Sequence, residues 1–270
     1  MLSTVQRSAE LSMPRGADLA PVHRALGHLV GVVNLVGLTD NHMGRARLSP
    51  LAAIPDCLSV GLRPVLHLSC RDRNLLGLQQ QVAGAAAMGA AGVLVVRGDG
   101  SNSIVPSIGL RTTEVLRLVP DWAAPRHLLR GAVVNPFAEP RRELRLLERK
   151  AEAGLDFVQT QMIFDLDAFD RFAGWMSELL PPSVEVFASV GILRSGRNLD
   201  FVVRSVPDCP VPPPLARRIA QGEGVTVAAD LAGALGARPG VRLHVIPLGG
   251  ERHAGQVVAA FDQSRAAASA

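Results

Sequence analysis

Short runs of β-branched and leucine residues alternate along the chain with longer stretches in which apolar residues recur every three or four positions. Short apolar runs of this kind are typical of buried strands, and the three-four spacing is typical of a helix that buries one face. Eight runs are predicted as strands, at about residues 3–10, 31–38, 63–68, 92–97, 129–135, 156–161, 184–190 and 241–247. The helical spacing is clearest at Leu75, Leu78, Val82 and Ala86, and again at Leu144, Leu147 and Ala151.

A strand followed by a helix, repeated eight times, predicts an α/β protein with a (β/α)8 TIM-type barrel. The length suits one barrel domain over residues 1–270. A doubly wound open sheet is the alternative, but no glycine-rich dinucleotide fingerprint follows the first strand. After strand seven, five prolines between residues 207 and 214 predict an extra helical segment in two or three pieces. The alanine-rich residues 264–270 are expected to fray.

Polar residues follow many of the apolar runs at the point where the run ends. The C-terminal ends of the strands build the active site in (β/α)8 barrels, so polar residues there are candidates for a site. We expect most of them to converge on one pocket. The candidates are Glu10, Thr39, Asp40, Asn41, His67, Asp99, Asn135, Gln161, residues 191–198 and residues 247–249.

Each candidate also has a structural interpretation when it is taken alone. Asp40 with Asn41 and Asp99 with Gly100 are common turn residues, and Asn74 or Asp72 is suited to capping a helix. A lone histidine such as His67 is more often a core or capping residue than a catalyst. The carboxylates of residues 165–170 are expected at a helix N-terminus and not at a metal site. The recurrence of polar residues at strand ends is therefore what favours a functional pocket.

The composition narrows the classes of ligand. The chain has 28 Lys and Arg against 24 Asp and Glu, a net charge of +4, and its basic residues form no basic tail. Tyrosine is absent, so aromatic platforms for RNA bases are scarce. These features favour an anionic small ligand, or no ligand, over nucleic acid.

The cysteines and the apolar segments indicate the compartment. Cys57, Cys70 and Cys209 are an odd number without C-x-x-C spacing, so neither a disulfide framework nor a structural zinc site is expected. Residues 1–18 contain no apolar core of signal-peptide length. The most apolar stretch, residues 82–96, is too short and too rich in Gly and Ala to span a bilayer. We expect a cytoplasmic protein that does not bind membranes.

Several long motifs occur in a fixed order: "HLSCRDRN" with "GAAAMGAAGVLVVRGD", then "GAVVNPFAEP", then "KAEAGLDFVQTQMIFD". In order and spacing they resemble the flavin-dependent 5,10-methylenetetrahydrofolate reductases. His67 and Asp99 stand 32 positions apart, as the corresponding pair does in that family. The resemblance runs from Glu10 to about Phe164, and more loosely to "VRLHVIPLG" near the C-terminus. The chain looks like a short, divergent member without a regulatory domain.

The resemblance implies an FAD-carrying barrel. NADH or NADPH would give a hydride to the flavin and leave, and methylenetetrahydrofolate, with one or several glutamates, would then be reduced to 5-methyltetrahydrofolate. By position, Glu10 looks like the general acid and Asp99 like the carboxylate beside flavin and folate. Gln161 looks like the amide that contacts folate and nicotinamide in turn. The residues that look like FAD contacts are Thr39, His67, Arg97, Gly98, Asp99, Asn135 and, at the phosphates, Lys150.

The sequence departs from the family pattern after Glu10, where Leu11-Ser12-Met13-Pro14 replaces an aromatic pair and a double proline, and the family's tyrosine contacts to FAD are missing. Two interpretations stay open. The first is the reductase itself. The second is a flavin- or folate-binding subunit that takes electrons from a redox-protein partner or delivers a methyl group to a corrinoid protein. A pterin-binding transferase without flavin is a third, and a homo-oligomer is compatible with each.

Overall fold

In the described part of the chain, parallel strands form a closed inner wall. The computed structural model describes residues 7–71, 73–98 and 109–269. The strands are β1 (Arg7–Leu11), β2 (Leu35–Leu38), β3 (Arg63–Ser69), β4 (Gly92–Val96), β5 (Leu129–Val134), β6 (Phe157–Met162), β7 (Glu185–Gly191) and β8 (Val241–Ile246). Each strand pairs with the strands before and after it, and β8 pairs with β1 to close the barrel.

The predicted (β/α)8 barrel is confirmed, and each predicted strand overlaps an observed one. Within the described residues the largest difference is at β2, which begins at Leu35 and not at residue 31, whereas residues 3–6 of the first predicted strand lie outside the described part. The β-branched residues before Leu35 instead belong to the turn that ends the preceding helix. In that turn Val30 N–H donates to Leu26 O, and Gly31 takes a φ of +74° that ends the helix.

The helices follow the strands as the spacing predicts. They are α1 (Ala20–Leu29), α2 (Ile54–Ser59), α3 (Leu75–Ala87), α4 (Thr112–Ala123), α5 (Pro140–Glu152), α6 (Leu166–Leu179), α7 (Gly196–Ser205), α8 (Pro213–Arg218), α9 (Gly224–Gly236) and α10 (Ala254–Ser269), with 3₁₀ turns at His42–Gly44, Pro50–Ala53 and Glu251–His253. The predicted caps are confirmed: Asn74 Oδ1 accepts from Gly77 N at 2.8 Å, and Asp165 Oδ1 accepts from Ala168 N at 2.9 Å.

The segment after β7 is divided, as its prolines predict. Helix α7 ends at Ser205, and α8 begins at Pro213. A single π turn, Ile219–Glu223, then joins α8 to α9, and Gly222 inside it has a φ of +94°. The chain therefore leaves β7 through one helix and returns to β8 through two others.

Helix α10 extends to Ser269 and so includes most of the segment 264–270, whose fraying stays a prediction. Arg265 holds this last part of the helix against the barrel. Its Nε donates to Gly236 O at 3.0 Å, and its guanidinium lies 5.0 Å from the centre of the Phe261 ring. These contacts attach α10 to the barrel at Arg265, near the start of the alanine-rich segment.

Two apolar cores lie on opposite sides of the strands, because successive side chains on a strand point to opposite faces. The outer core fills the space between strands and helices, with Phe169, Phe172 and Phe261 among its fully buried members. The small inner core fills the barrel and consists of Leu35, Val65, Leu94, Phe157 and Phe187. The Phe157 and Phe187 rings meet edge to face with centroids 5.9 Å apart.

An ion pair lies beneath this inner core, near the first residues of β7 and β8. Arg242 Nε and one of its terminal nitrogens each lie 2.6 Å from the Glu185 carboxylate oxygens. The geometry is the two-point pairing of guanidinium with carboxylate. The N-terminal half of the barrel interior is thus filled, and polar side chains occupy the half above it.

Three further properties concern the described residues only. Their helices include none long and apolar enough to cross a bilayer. The three cysteines are free and buried. No group of three or more His, Cys, Asp or Glu side chains within these ranges is arranged to hold a metal ion.

Gly224 is predicted to be required at the start of α9, where the helix packs against Leu193, the second residue after β7. A Cβ at Gly224 would lie 1.7 Å from Leu193 O. Gly224→Ala should therefore destabilise the protein by about 1–3 kcal/mol through overpacking, measured as a lower urea midpoint. Gly174→Ala is the control, because a Cβ there, inside α6, meets nothing within 4 Å. It should be neutral or raise stability by about 0.5–1 kcal/mol. Equal midpoints for the two variants would contradict this packing.

Candidate functional site

A cleft of about 530 Å³ opens at the C-terminal ends of the strands. This volume is within the range of about 300–1,000 Å³ usual for small-molecule sites. Residues from β1 to β6 and from β8 line it, and Ser205 to Asp208, between α7 and α8, form part of its wall. The predicted site residues that it brings together are Glu10, Thr39, Asp40, His67, Arg97, Gly98, Asn135, Lys150 and Gln161. Asp99 lies outside the described residues.

Glu10 faces the cleft from β1. It pairs with Gly37 of β2 and is half-buried, whereas its neighbours Ala9 and Leu11 point to the outer core and are buried. The residues after it, which depart from the family pattern, still pack into the barrel. Met13 is fully buried, and its N–H donates to Thr39 Oγ1 at 3.1 Å.

Thr39 and Asp40 line the cleft but bind mainly to the protein itself. Thr39 is 2% exposed, and its hydroxyl accepts from Met13 N and lies 3.2 Å from His42 Nδ1. Asp40 accepts from Ser69 N at 2.9 Å and from an Arg73 guanidinium nitrogen at 2.8 Å. These contacts tie the loop after β2 to the loop after β3, so the structural interpretation holds for Asp40.

His67 lies on β3 at the floor of the cleft and is buried. Burial lowers the pKa of its imidazole to about 4; the Asp40 carboxylate opposes this shift and His42 adds to it. The ring is therefore neutral at neutral pH. It can offer a ligand one donor or one acceptor but no positive charge.

Arg97 and Gly98 follow β4 on the same side of the cleft. Gly98 has a φ of +87°, and a Cβ on it would lie 1.9 Å from Ser69 Oγ. The backbone of this loop therefore passes directly over β3, and Arg71 N–H donates to Arg97 O at 2.9 Å. Because Gly98 lines the cleft without a side chain, a ligand can approach the backbone of this loop.

Lys150 reaches the cleft from α5 and is the only lysine of the chain. Its side chain is 12% exposed, and its Nζ donates to Val133 O at 2.7 Å and lies 4.0 Å from Glu143 Oε1. Burial lowers the pKa of this ammonium group, and the negative Glu143 partly opposes that shift. Lys150 is thus a buried cation at the end of β5.

Asn135 and Gln161 complete this side of the cleft. Asn135 Nδ2 donates to Asp208 O at 3.0 Å, and its Oδ1 accepts from Phe137 N, so its amide holds the wall of the cleft. Gln161 sits where β6 advances three residues, Gln159 to Met162, while β7 advances two. This bulge lets Gln161 face the cleft, with its Oε1 accepting from Met162 N at 2.9 Å.

The family model described as methylenetetrahydrofolate reductase matches residues 4–229. The chain belongs to this family. A probable NADPH-type methylenetetrahydrofolate reductase from Caenorhabditis elegans is 27% identical over 122 residues, which are 42% of this chain. Those residues span only 18% of the C. elegans protein.

Solved structures share the barrel with this methylenetetrahydrofolate reductase family chain at low identity. An uncharacterised protein from Clostridium thermocellum that binds two copies of 5-methyl-5,6,7,8-tetrahydrofolic acid superimposes with a TM-score of 0.70, at 12% identity, over 96% of this chain and 95% of its own. A tryptophan synthase chain from M. tuberculosis gives a TM-score of 0.57 at 14% identity over 95% and 93% of the two chains. These likenesses establish the fold.

Two contributions to the cleft of this family member were not predicted. Glu143 accepts from Asn135 N at 3.1 Å and lies beside Lys150, although in the sequence it is one of several charges on an amphipathic helix. The backbone oxygen of Asp208 accepts from the Asn135 amide. Asp208 belongs to a segment that was predicted only as a break between helices. Asp208 has a left-handed φ of 46°, which aspartate tolerates, but the sequence alone does not locate the turn.

A second pocket, of about 490 Å³, lies beside the ends of β7 and β8, and we name it the basic pocket. It contains part of the predicted segment 191–198 together with two residues that were missed, Arg252 and His253. Its charged and titratable lining consists of Arg194, Arg197, Arg252 and His253, without an acidic residue. Asn41 and residues 247–249 line neither the cleft nor the basic pocket.

The cations of the basic pocket are close enough to affect one another. Burial lowers the pKa of His253, and the charges of Arg252 and Arg194 lower it further. Arg194 Nε is buried without a hydrogen-bond partner among the described groups. The loops after strands 7 and 8 of such barrels frequently bind phosphate, so this pocket suits an anionic group.

The amine of Lys150 is predicted to titrate below the ordinary lysine pKa of about 10.4. Because the chain has no other lysine, reductive ¹³C-methylation labels Lys150 and the chain's α-amine alone. The dimethyl-lysine resonance should shift with a lowered midpoint, since burial disfavours the charged form. Glu143→Gln should lower the midpoint further, because it removes the negative charge that raises this pKa. Glu148→Gln, an exposed change on the same helix, is the control. If Glu143→Gln leaves the midpoint of the Lys150 titration unchanged, the Glu143 charge does not act on Lys150.

Proposed function

We propose that this chain is an FAD-dependent reductase that uses NADH or NADPH to reduce 5,10-methylenetetrahydrofolate to 5-methyltetrahydrofolate. The observation that carries the proposal is the convergence of Glu10, His67, Arg97, Lys150 and Gln161 on one cleft of a family member. The bound 5-methyltetrahydrofolate of the C. thermocellum structure supports a folate ligand for a barrel of this shape. Asp99, beside Gly98 in sequence, is proposed on the resemblance alone.

The residues of the cleft fit FAD in part. Lys150 places one ammonium group at the end of β5, where it can pair with a phosphate, and Gly98 lines the cleft without a side chain that would obstruct a flat ring system. Thr39 and Asn135, by contrast, already use their side chains in internal hydrogen bonds. FAD would then be held mainly by His67, Arg97, Gly98 and Lys150. When bound, FAD supplies the hydride transfer from nicotinamide to folate.

Glu10 supplies the proton in this proposal. Opening the five-membered ring of methylenetetrahydrofolate requires protonation of the departing N10, which needs an acid within hydrogen-bond reach. Glu10 is half-buried and faces the cleft, so its carboxyl can reach a ligand there. Gln161, on the opposite wall, offers an amide to orient the pterin or the nicotinamide. The two side chains therefore have separate tasks.

The basic pocket supports a substrate that carries several glutamates. Folate ends in a glutamate carboxylate, and each added glutamate adds one negative charge. Arg194, Arg197 and Arg252 offer planar guanidinium groups that pair with carboxylates at two points. We propose that this pocket receives the tail, whereas the cleft receives the pterin.

Anaerobic mixing tests the function as a whole. The pure protein should be yellow, and NADH or NADPH should bleach its flavin, after which methylenetetrahydrofolate should restore the colour. Bleaching only after a redox protein is added would favour the subunit interpretation. A colourless protein that cannot be loaded with FAD would exclude both flavin interpretations.

Lys150→Met is expected to weaken FAD by about tenfold to a hundredfold, the equivalent of one lost charge-assisted hydrogen bond. The measurement is the FAD dissociation constant from flavin fluorescence quenching. Arg149→Met is the matched control, because Arg149 is an exposed cation on the neighbouring position of α5. An unchanged constant for Lys150→Met would remove this residue from the cofactor site.

Glu10→Gln is expected to separate the two half-reactions. Reduction of the flavin by nicotinamide needs no proton from Glu10, so its rate should stay within a few-fold of wild type. Reoxidation by methylenetetrahydrofolate should slow by about 10²–10⁴, the usual contribution of a positioned acid. Stopped-flow absorbance of each half-reaction measures both rates. Wild-type reoxidation would show that Glu10 is not the acid.

Arg252→Met is expected to raise the KM for a pentaglutamate substrate about tenfold and to change the KM for the monoglutamate less. The physical reason is that the longer tail places more carboxylates in the basic pocket, where each charged hydrogen bond contributes about 1.5–3 kcal/mol. Arg171→Met on α6, exposed and outside both pockets, is the control. Equal effects on the two substrates would place the tail elsewhere.

A further inference from the structure

Below the cleft, the barrel interior contains two buried histidines with unsatisfied ring nitrogens. His67 on β3 is 8% exposed and His244 on β8 is 1% exposed. The Nε2 atoms of both rings are shielded from solvent and have no hydrogen-bond partner among the described residues. Leaving a buried polar atom unpaired destabilises the fold, so two such atoms call for a partner that both can reach.

Both rings border one small cavity of about 20 Å³ that reaches down to the inner core. One water needs about 10–15 Å³ of this kind of volume and two to four polar neighbours. The cavity is large enough for one water, and its polar lining comprises Ser8, His67, Gln159 and His244. Gly37 forms its wall on β2, where a Cβ would lie 2.6 Å from His67 Nε2. The absence of a side chain at Gly37 is what leaves this space open.

The contacts of Ser8 are compatible with one tautomer of His244 in which Nδ1 is the donor. Ser8 Oγ lies 3.3 Å from Leu243 O, to which it can only donate, and 2.8 Å from His244 Nδ1. A hydroxyl has one proton, so when that proton goes to Leu243 O, Nδ1 must donate to Ser8. The Nε2 atom of His244 then carries a lone pair and accepts from the cavity.

We propose that one internal water occupies this cavity, donates to His244 Nε2 and accepts from His67 Nε2–H. Ser8, His244 and the water would then form a directed chain that holds His67 in its Nε2–H tautomer. The Nδ1 atom of His67 becomes an acceptor, which suits a ligand that donates an N–H or O–H. Ser8 and His244 are thus positioning residues, since they act on the floor of the cleft through His67 and touch no ligand.

Long-range ¹H–¹⁵N correlation spectra of the histidine-labelled full chain, without added ligand, test the proposal. In the wild type, His67 should carry its proton on Nε2 and His244 on Nδ1, and His67 Hε2 should show an Overhauser effect to a long-lived water. His244→Leu should leave His67 as a mixture of tautomers. His244→Gln, whose carbonyl can again accept, should restore one tautomer, and His127→Leu, at an exposed loop position, should have no effect.

The wild-type spectrum tests the proposed water and the His67 tautomer even if the variants do not fold. A His67 proton on Nδ1, or no water signal at Hε2, would overturn the proposal, as would a single unchanged tautomer in folded His244→Leu. The consequence for the cofactor rests on the proposed function: His244→Leu should weaken FAD about fivefold, and His244→Gln should not. If the tautomers behave as stated but FAD binding is unchanged, the contact between His67 and FAD is wrong and the water site stands.

Discussion

The closure of eight parallel strands is the constraint on which the rest of the molecule depends. Once the sheet closes, alternate side chains must fill an interior that no helix can reach. Large apolar side chains such as Phe157 and Phe187 fill the lower half, and the pair of Arg242 and Glu185 lies beneath them. The upper half therefore holds the polar residues, with His67, Gln159 and His244 in the layer directly below the cleft.

Much of the fold was predictable, because a closed parallel barrel repeats one strong pattern. Strands buried on both faces appear in the sequence as continuous apolar runs, and helices buried on one face have apolar residues at every third or fourth position. The predicted start of β2 was too early, because the β-branched residues near Val30 resemble a strand in sequence. The turn at Gly31, which ends the helix before β2, is what distinguishes this segment from the strand. The tertiary contacts of Arg265 with Gly236 and Phe261 could not be predicted either, because local composition carries no information about them.

The site was predictable where it follows the strand ends and not where it depends on contacts between distant segments. Glu10, His67 and Gln161 lie at strand positions, so closure of the barrel alone brings them together. Glu143 and Asp208 contribute through a helix face and an irregular segment, whose directions no periodicity reveals. Arg194 and Arg252 line the same pocket because the paired strands β7 and β8 end side by side.

The use of a single lysine has a consequence for the acid–base behaviour of the whole chain. Tyrosine is absent, burial raises the pKa of the three cysteine thiols to about 12, and arginine stays charged to similar or higher pH. Lys150 carries the only side-chain amine, and burial lowers its pKa, so it ionises at lower pH than the thiols and the guanidinium groups. The alkaline buffering capacity of this 270-residue protein reports on one amine inside its cleft. In most proteins a potentiometric titration at alkaline pH averages over many groups. In this protein the same titration reports on the surroundings of Lys150.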